Sequence, residues 1–264
     1  MESIFRKKNK SFDESTDPKD LDLTSFEPKD ELNPKFWDGD DLDMYARRQL
    51  LIIARDFLKD LEMKDMPIED VIITGSIANY NWNENFSDID LHIVVDFDKI
   101  DADQEIVKKM FDAVKKTWND AHKDVTIYSY PVEVYVQDVK EEHKSTGMYS
   151  ILDDKWIVKP SKGSMKLSDI DDDTIRTTVA GFMDKIDELD DRLTKAETDK
   201  EYENIYNDSV KLFKEIKDSR KSGMGTTKPE LSSGNLVFKT LRRNGYVEKI
   251  IDIRNKAYSL SVSI

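Results

Sequence analysis

The chain has 264 residues, a formal net charge of -14 and no cysteine. That length suits one large domain or a core with a helical extension, and the missing cysteines exclude a disulfide framework, a disulfide-linked partner and a cysteine-held zinc. No apolar run approaches the roughly 20 residues of a membrane helix, and the opening MESIFRKKNKSFDEST has no apolar stretch behind its basic patch, so no secretory signal or membrane partner is expected and the location reads as cytoplasmic.

In chain order, residues 1–35 are rich in Asp, Glu, Lys, Ser and Pro and read as an acidic arm, extended or disordered until it docks through Phe26, Phe36 and Trp37. DDLDMYARRQLLIIARDFLKDLEM has helical spacing and an aspartate cap near Asp40 or Asp41. VIIT reads as a buried strand, SIANYNW as a short helix opening near Ser76, NENFS as a loop and DIDLHIVVD as the longest strand. DADQEIVKKMFDAVKKTWNDAH reads as a helix covering the sheet. VTIYSY and PVEVYVQD follow as strands with Pro131 at a start or bend, and MYSILDDKWIVKP as a hairpin turning at Asp153-Asp154. Beyond Ser168 the pattern is helical: one helix to about Lys195, another from Asp199 to about Arg220, then the glycine- and serine-rich KSGMGTTKPELSSG as a linker, or else a flexible lid over nucleotide. One or two final helices break at Gly245. The expected organisation is therefore an arm (1–35), a core (36–165) and a helical region with a basic tail (166–264).

Charge is divided along this order. Residues 211–264 hold 12 Lys or Arg against 5 Asp or Glu, a net of +7, so the preceding 210 residues carry -21. A basic tail behind an acidic core suggests phosphate handling, with Lys211, Lys214 and Lys217 on one helical pattern and Lys239, Arg242 and Arg243 on another. A solvated face that balances the acidic half explains the same residues.

Val71 to Asp96, VIITGSIANYNWNENFSDIDLHIVVD, concentrates the chemistry. A strand alternates its side chains, so Asp88 and Asp90 project from one face. Two adjacent carboxylates resist joint ionisation unless a cation lies between them, and oxygen-rich surroundings suit a hard ion such as magnesium. Gly75 and Ser76, at the end of the preceding strand, offer close backbone approach, N–H donors and a hydroxyl to an anion.

The series apolar strand, Gly75-Ser76, helix, Ser87-Asp88-Ile89-Asp90, apolar strand resembles the DNA polymerase beta type nucleotidyltransferase superfamily, over Val71 to about Val95 and on to about residue 140. TGSIANYNW and DIDLHIVVD look most like predicted nucleotidyltransferases of tailed bacteriophages. The resemblance implies an α+β fold with a mixed sheet, flanking helices and a helical C-terminal extension. It also implies a third carboxylate from a neighbouring strand, for which Glu133 qualifies: Val132, Val134 and Val136 share one face of YPVEVYVQD, and a lone glutamate on the other needs a reason. Asp138 is the reserve candidate. The implied reaction is a Mg2+- or Mn2+-dependent two-metal transfer of a nucleoside monophosphate from an NTP to an acceptor hydroxyl, with Asp88, Asp90 and Glu133 as metal ligands and catalytic groups. Gly75 and Ser76 would hold the terminal phosphates, with Lys211 and Lys214 as further phosphate grips. RNA or a nucleotide is the favoured acceptor.

Other features receive blander readings. SDID recurs at Ser168 to Asp171, but there an N-cap at Ser168 or Asp169 with acids favouring the helix dipole explains it. Asp96, Asp98, Asp101 and Asp103 lack the glycine and terminal glutamate of a calcium loop. His92 shares the face of Asp88 and Asp90, either near substrate or as a satisfied interior histidine; His122 and His143 have no metal-like spacing. Two competing functions remain: a non-catalytic binding protein or antitoxin-like inhibitor on the same fold, and synthesis of an oligonucleotide signal from NTPs alone.

Overall fold

The computed structural model describes residues 17–63, 66–100, 103–142, 145–162, 171–223 and 231–263. Ser25–Lys166 form one compact unit, and the described residues of 1–24 and 167–264 form a second. Together they give the mixed α+β class expected: a sheet with flanking helices, then a helical C-terminal part.

The first unit is built on a six-stranded sheet of β3 (Asp70–Thr74), β4 (Ile89–Val95), β5 (Thr126–Ile127), β6 (Tyr130–Asp138), β7 (Met148–Ser150) and β8 (Lys155–Val158), in the order β5-β6-β4-β3-β7-β8. Only β4 and β6 run parallel. A parallel pair needs a long crossover, here supplied by α2 (Gln104–Ala121). Alternation does what the sequence pattern requires. Val71, Ile73, Ile89, Leu91, Ile93, Val132 and Val134 turn to one face, where they pack with Leu50 and Phe57 of α1 (Met44–Asp60) and Val107, Phe111 and Trp118 of α2. Each such fully buried side chain contributes roughly 1.5–3 kcal/mol. The other face of β4 and β6 carries Asp90, His92, Glu133, Tyr135 and Gln137, with Val94 buried against Ile72 and Met148.

Residues 17–35 contain only two short 3-10 turns, yet they bury Leu21, Leu23, Phe26 and Leu32, and the expected anchors Phe36 and Trp37 are buried too. Arg176 donates to the carbonyls of Lys19 and Leu21 within the second unit. The rest of the arm, residues 1–16, lies outside the described residues.

The cap of α1 is not Asp40 or Asp41. A small hairpin, β1 (Trp37–Asp38) with β2 (Asp41–Leu42), uses those residues, and Asp43 caps the helix by accepting from the Ala46 N–H at 2.8 Å. Asp103 caps α2 through the Glu105 and Ile106 N–H groups, so the candidate calcium loop includes a helix cap; its Asp101 lies outside the described residues. Tyr128 and Ser129, both at positive φ, make the two-residue turn between β5 and β6, the geometry that suits the twist of a hairpin. The hairpin of β7 and β8 turns through Asp153-Asp154 as expected.

The second unit holds α3 (Asp172–Lys195), α4 (Asp199–Gly223), α5 (Ser233–Arg243) and α6 (Tyr246–Val262). Gly245, at φ 79°, separates the last two; only glycine takes that left-handed position without strain. The cap of α3 is Asp171, not Ser168 or Asp169, both of which lie outside the described residues. So do residues 224–230 of the expected linker, and His143.

Candidate active site

β3 ends at Thr74, whose register partner on β4 is Asp90. Asp90 is in turn the direct partner of Glu133 on β6. Two carboxylates thus stand opposite one another on neighbouring strands, an arrangement that destabilises a sheet unless a counter-charge or a donor compensates. Asp88 lies just before β4, and it, Asp90 and Glu133 are each half-buried. Their convergence shows in Tyr135. Its hydroxyl donates to Glu133 Oε2 at 2.6 Å. Burial first, then the charges of Asp90 and Glu133, that hydrogen bond and the charge of Asp88 all hold its ionisation far above the usual tyrosine range.

Gly75 follows Thr74 at φ 71°, and a Cβ added there would overlap the Asp90 Oδ2. Glycine is therefore required twice, by the left-handed backbone and by a carboxylate seated against its Cα. The helix expected to open at Ser76 does not form; residues 75–78 are a turn. The hydrogen bonds explain why. The Asn79 N–H returns to the Ser76 carbonyl, the Tyr80 N–H goes to the Asn79 side chain, and the Ile77 carbonyl accepts from the Trp37 indole at 2.8 Å. Asparagine competes for local backbone partners in this way and so favours turns over helix interiors. Asn79 also donates to Thr146 at 2.6 Å, tying the turn to the segment before β7. The Ser76 hydroxyl donates to Ser87 Oγ at 2.7 Å, so it braces the loop that delivers Asp88.

His92 resolves as a satisfied histidine. Its Nδ1 meets Gln137 Oε1 at 2.6 Å and its Nε2 meets Thr74 Oγ1 at 3.2 Å. The Gln137 oxygen can only accept, so Nδ1 carries a proton. The imidazole also stacks on Tyr135, with centroids 4.9 Å apart and planes 15° from parallel. The reserve carboxylate, Asp138, pairs with Val95 at the other end of β4 and is buried, facing the Phe97 N–H. It is far along the strand from Asp90. His122 stacks on Trp118 in the first unit.

Lys211 and Lys214 lie on exposed positions of α4 in the second unit, where Lys214 pairs with Asp218. Lys217 sits over the Phe213 ring. The structure thus brings Gly75, Asp88, Asp90 and Glu133 into one neighbourhood, with Ser76 as a brace. The residues unassigned by sequence reasoning are Thr74, Ser87, Tyr135 and Gln137. Tyr135 and Gln137 share a face of β6 with Glu133, but no motif singles them out.

Among the described residues, no group of three acidic or histidine side chains is already gathered tightly enough to enclose a metal ion. The donor set is still of the kind that hard ions use, since magnesium takes one or two carboxylates and completes its shell with water and substrate phosphates.

The family model for the nucleotidyltransferase domain matches residues 53–154. That span runs from the second half of α1 to the turn before β8 and contains Gly75, Ser76, Asp88, Asp90 and Glu133; Lys211 and Lys214 fall outside it. A domain of this class supports transfer of a nucleoside monophosphate, with a nucleotide as substrate. No curated protein and no solved structure matches the chain. Among the described residues, no helix is long and apolar enough to cross a membrane.

Proposed function

We propose that the protein is a metal-dependent nucleotidyltransferase that moves a nucleoside monophosphate from an NTP to an acceptor hydroxyl and releases pyrophosphate. The observation that carries this reading is the register of β3, β4 and β6. It lines up Thr74, Asp90 and Glu133 across three strands beside the bare Cα of Gly75, inside the span of the family match. Asp88, Asp90 and Glu133 would hold Mg2+ or Mn2+. When bound, such ions supply charge neutralisation at the triphosphate and acidify the attacking hydroxyl. The chain's own part is positional. Gly75 admits the phosphates close to the backbone, Ser76 fixes the Ser87 loop, and Asp90 and Glu133 orient the acceptor side.

The net +7 of residues 211–264 supports an anionic acceptor, RNA or a nucleotide, with Lys211 and Lys214 as candidate phosphate contacts. The resemblance of TGSIANYNW and DIDLHIVVD to predicted nucleotidyltransferases of tailed bacteriophages supports a phage origin, in which case the protein would act in the host cytoplasm.

The test is a labelling assay. Each alpha-labelled NTP is incubated with the full chain, Mg2+ or Mn2+ and cell extract, beside the Asp88→Ala, Asp90→Ala double variant. Label entering RNA, nucleotide or protein with wild type but not with the variant supports transfer and names the acceptor class. Label entering soluble oligonucleotides from NTPs alone would instead indicate signal synthesis. No transfer to any fraction would leave a binding role as the better reading.

A further inference from the structure

Parity places Glu133, Tyr135 and Gln137 on one face of β6, and Asp90 and His92 on the same face of the parallel β4. The register makes Asp90 the partner of Glu133 and His92 the partner of Tyr135. Neighbouring strands are only about 4.8 Å apart, so the two carboxylates repel, and a half-exposed glutamate under that force gains by swinging into water. The Tyr135 hydroxyl, 2.6 Å from Glu133 Oε2, opposes this. A hydrogen bond from a neutral hydroxyl to an ionised carboxylate at that length is among the strong ones.

The tyrosine is itself held. His92 stacks against its ring, and the Lys115 ammonium lies 4.2 Å from its centroid. His92 in turn is fixed by Gln137 and by Thr74, the residue before Gly75. An unbroken series of contacts therefore runs from the foot of the glycine turn to one oxygen of Glu133. The other oxygen, Oε1, is not the one that Tyr135 engages.

We propose that Tyr135 is a positioning residue: it fixes Glu133 Oε2 so that the carboxylates of Glu133 and its register partner Asp90 present themselves to one divalent cation. This rests on the nucleotidyltransferase reading above. Outer partners of metal ligands typically alter affinity by about 10–100-fold when removed, and Tyr135→Phe removes only the hydroxyl while leaving the stacked ring.

Mn2+ binding to the full chain, read as loss of the free-ion electron paramagnetic resonance signal, separates the possibilities. It is measured for wild type, Tyr135→Phe, Glu133→Gln and the double variant, with metal-free melting temperatures alongside. The expected result is Mn2+ binding weakened about 10–100-fold by Tyr135→Phe, and no further weakening by that change in the Glu133→Gln background. Equal affinity of Tyr135→Phe and wild type overturns the positioning role and leaves the enzymatic reading intact. Equal weakening in both backgrounds also overturns it, because the hydroxyl then acts independently of Glu133. Failure of wild type to bind Mn2+ overturns the metal-dependent reading and this inference with it. A metal-free melting temperature that falls in step with the affinity marks a purely structural role.

Discussion

In the helical unit, the Lys249 ammonium lies 2.8 Å from Asp187 and 3.0 Å from Asp190, and the Tyr246 hydroxyl donates to Asp187. In the sheet unit, Asp90 and Glu133 face each other across a strand pair, and the Tyr135 hydroxyl donates to one of them. Both groups contain two acids and a tyrosine. A half-buried cation completes the first group, which ties α6 to α3. The second group is served by the Tyr135 phenol, with the Lys115 ammonium over its ring. The contrast teaches that acidity alone does not mark the site; what the fold sets among the acids does.

The strongest way to break this contrast is to remove the sheet-unit carboxylates. Asp88→Ala with Asp90→Ala should lower nucleotidyl transfer by about 1,000-fold or more, since electrostatic stabilisation by bound metal is worth several kcal/mol and each 1.36 kcal/mol is tenfold. Circular dichroism and melting should show the fold retained. Transfer within tenfold of wild type would place the chemistry elsewhere.

Gly75→Ala comes next. Its φ of 71° and the overlap with Asp90 Oδ2 force either backbone movement or displacement of the carboxylate. The left-handed conformation alone costs about 1–2 kcal/mol for a residue with a Cβ. A shift of about 1 Å in a reacting group costs on the order of 100-fold in rate. Parallel measurement of melting temperature and transfer rate should show a modest loss of the first and a large loss of the second. The reverse pattern would make Gly75 a folding requirement only.

How much of this was legible in the sequence depends on the range of the interactions. Parity along a single strand correctly put Asp88 apart from Ile89 and Leu91, and Glu133 apart from Val132 and Val134. The break at Gly245 and the turn at Asp153-Asp154 were equally local. Register was not legible, because β4 and β6 are separated by α2, and the pairing of Asp90 with Glu133 is a property of the assembled sheet. The turn after β3 was missed for a related reason. Residues 76–82 pass as a short helix until Trp37, some 40 residues earlier, claims the Ile77 carbonyl and Asn79 caps its own neighbour. The cap of α1 is Asp43 because Asp40 and Asp41 are spent in a hairpin with Trp37 and Asp38.

A sharper form of the comparison uses Lys249→Met in the helical unit. Burial pulls the lysine pKa down, but the hydrogen bonds and charges of Asp187 and Asp190 more than offset it and leave the value above the ordinary 10.5. A raised folded-state pKa means the contribution is complete below 10.5 and is lost as the pH rises through the folded value. Both acids are partly exposed, so water screens the pair and the loss on substitution should be about 1–2 kcal/mol near neutral pH. Denaturant titrations of wild type and variant should therefore diverge at pH 7 and converge in strong alkali. Transfer activity should not change.

The smallest effect is expected at Asp171, the last residue of the second SDID copy. Where Asp90, its counterpart in the first copy, sits on a strand against Gly75, Asp171 accepts from the Thr174 N–H and hydroxyl at the start of α3. These hydrogen bonds from Thr174, the hydroxyl's being the larger, hold its carboxyl below the usual 3.8. A depressed folded-state pKa means the contribution is present above 3.8 and is lost as the pH falls through the folded value. Asp171→Ala should therefore lower the melting temperature slightly at pH 7, approach wild type in acid and leave transfer untouched. Asp90→Ala should do the opposite, abolishing transfer at little cost in stability. Were the two substitutions to behave alike in either assay, the tetrapeptide itself, rather than the strand and glycine turn that frame its first copy, would have to carry the chemistry.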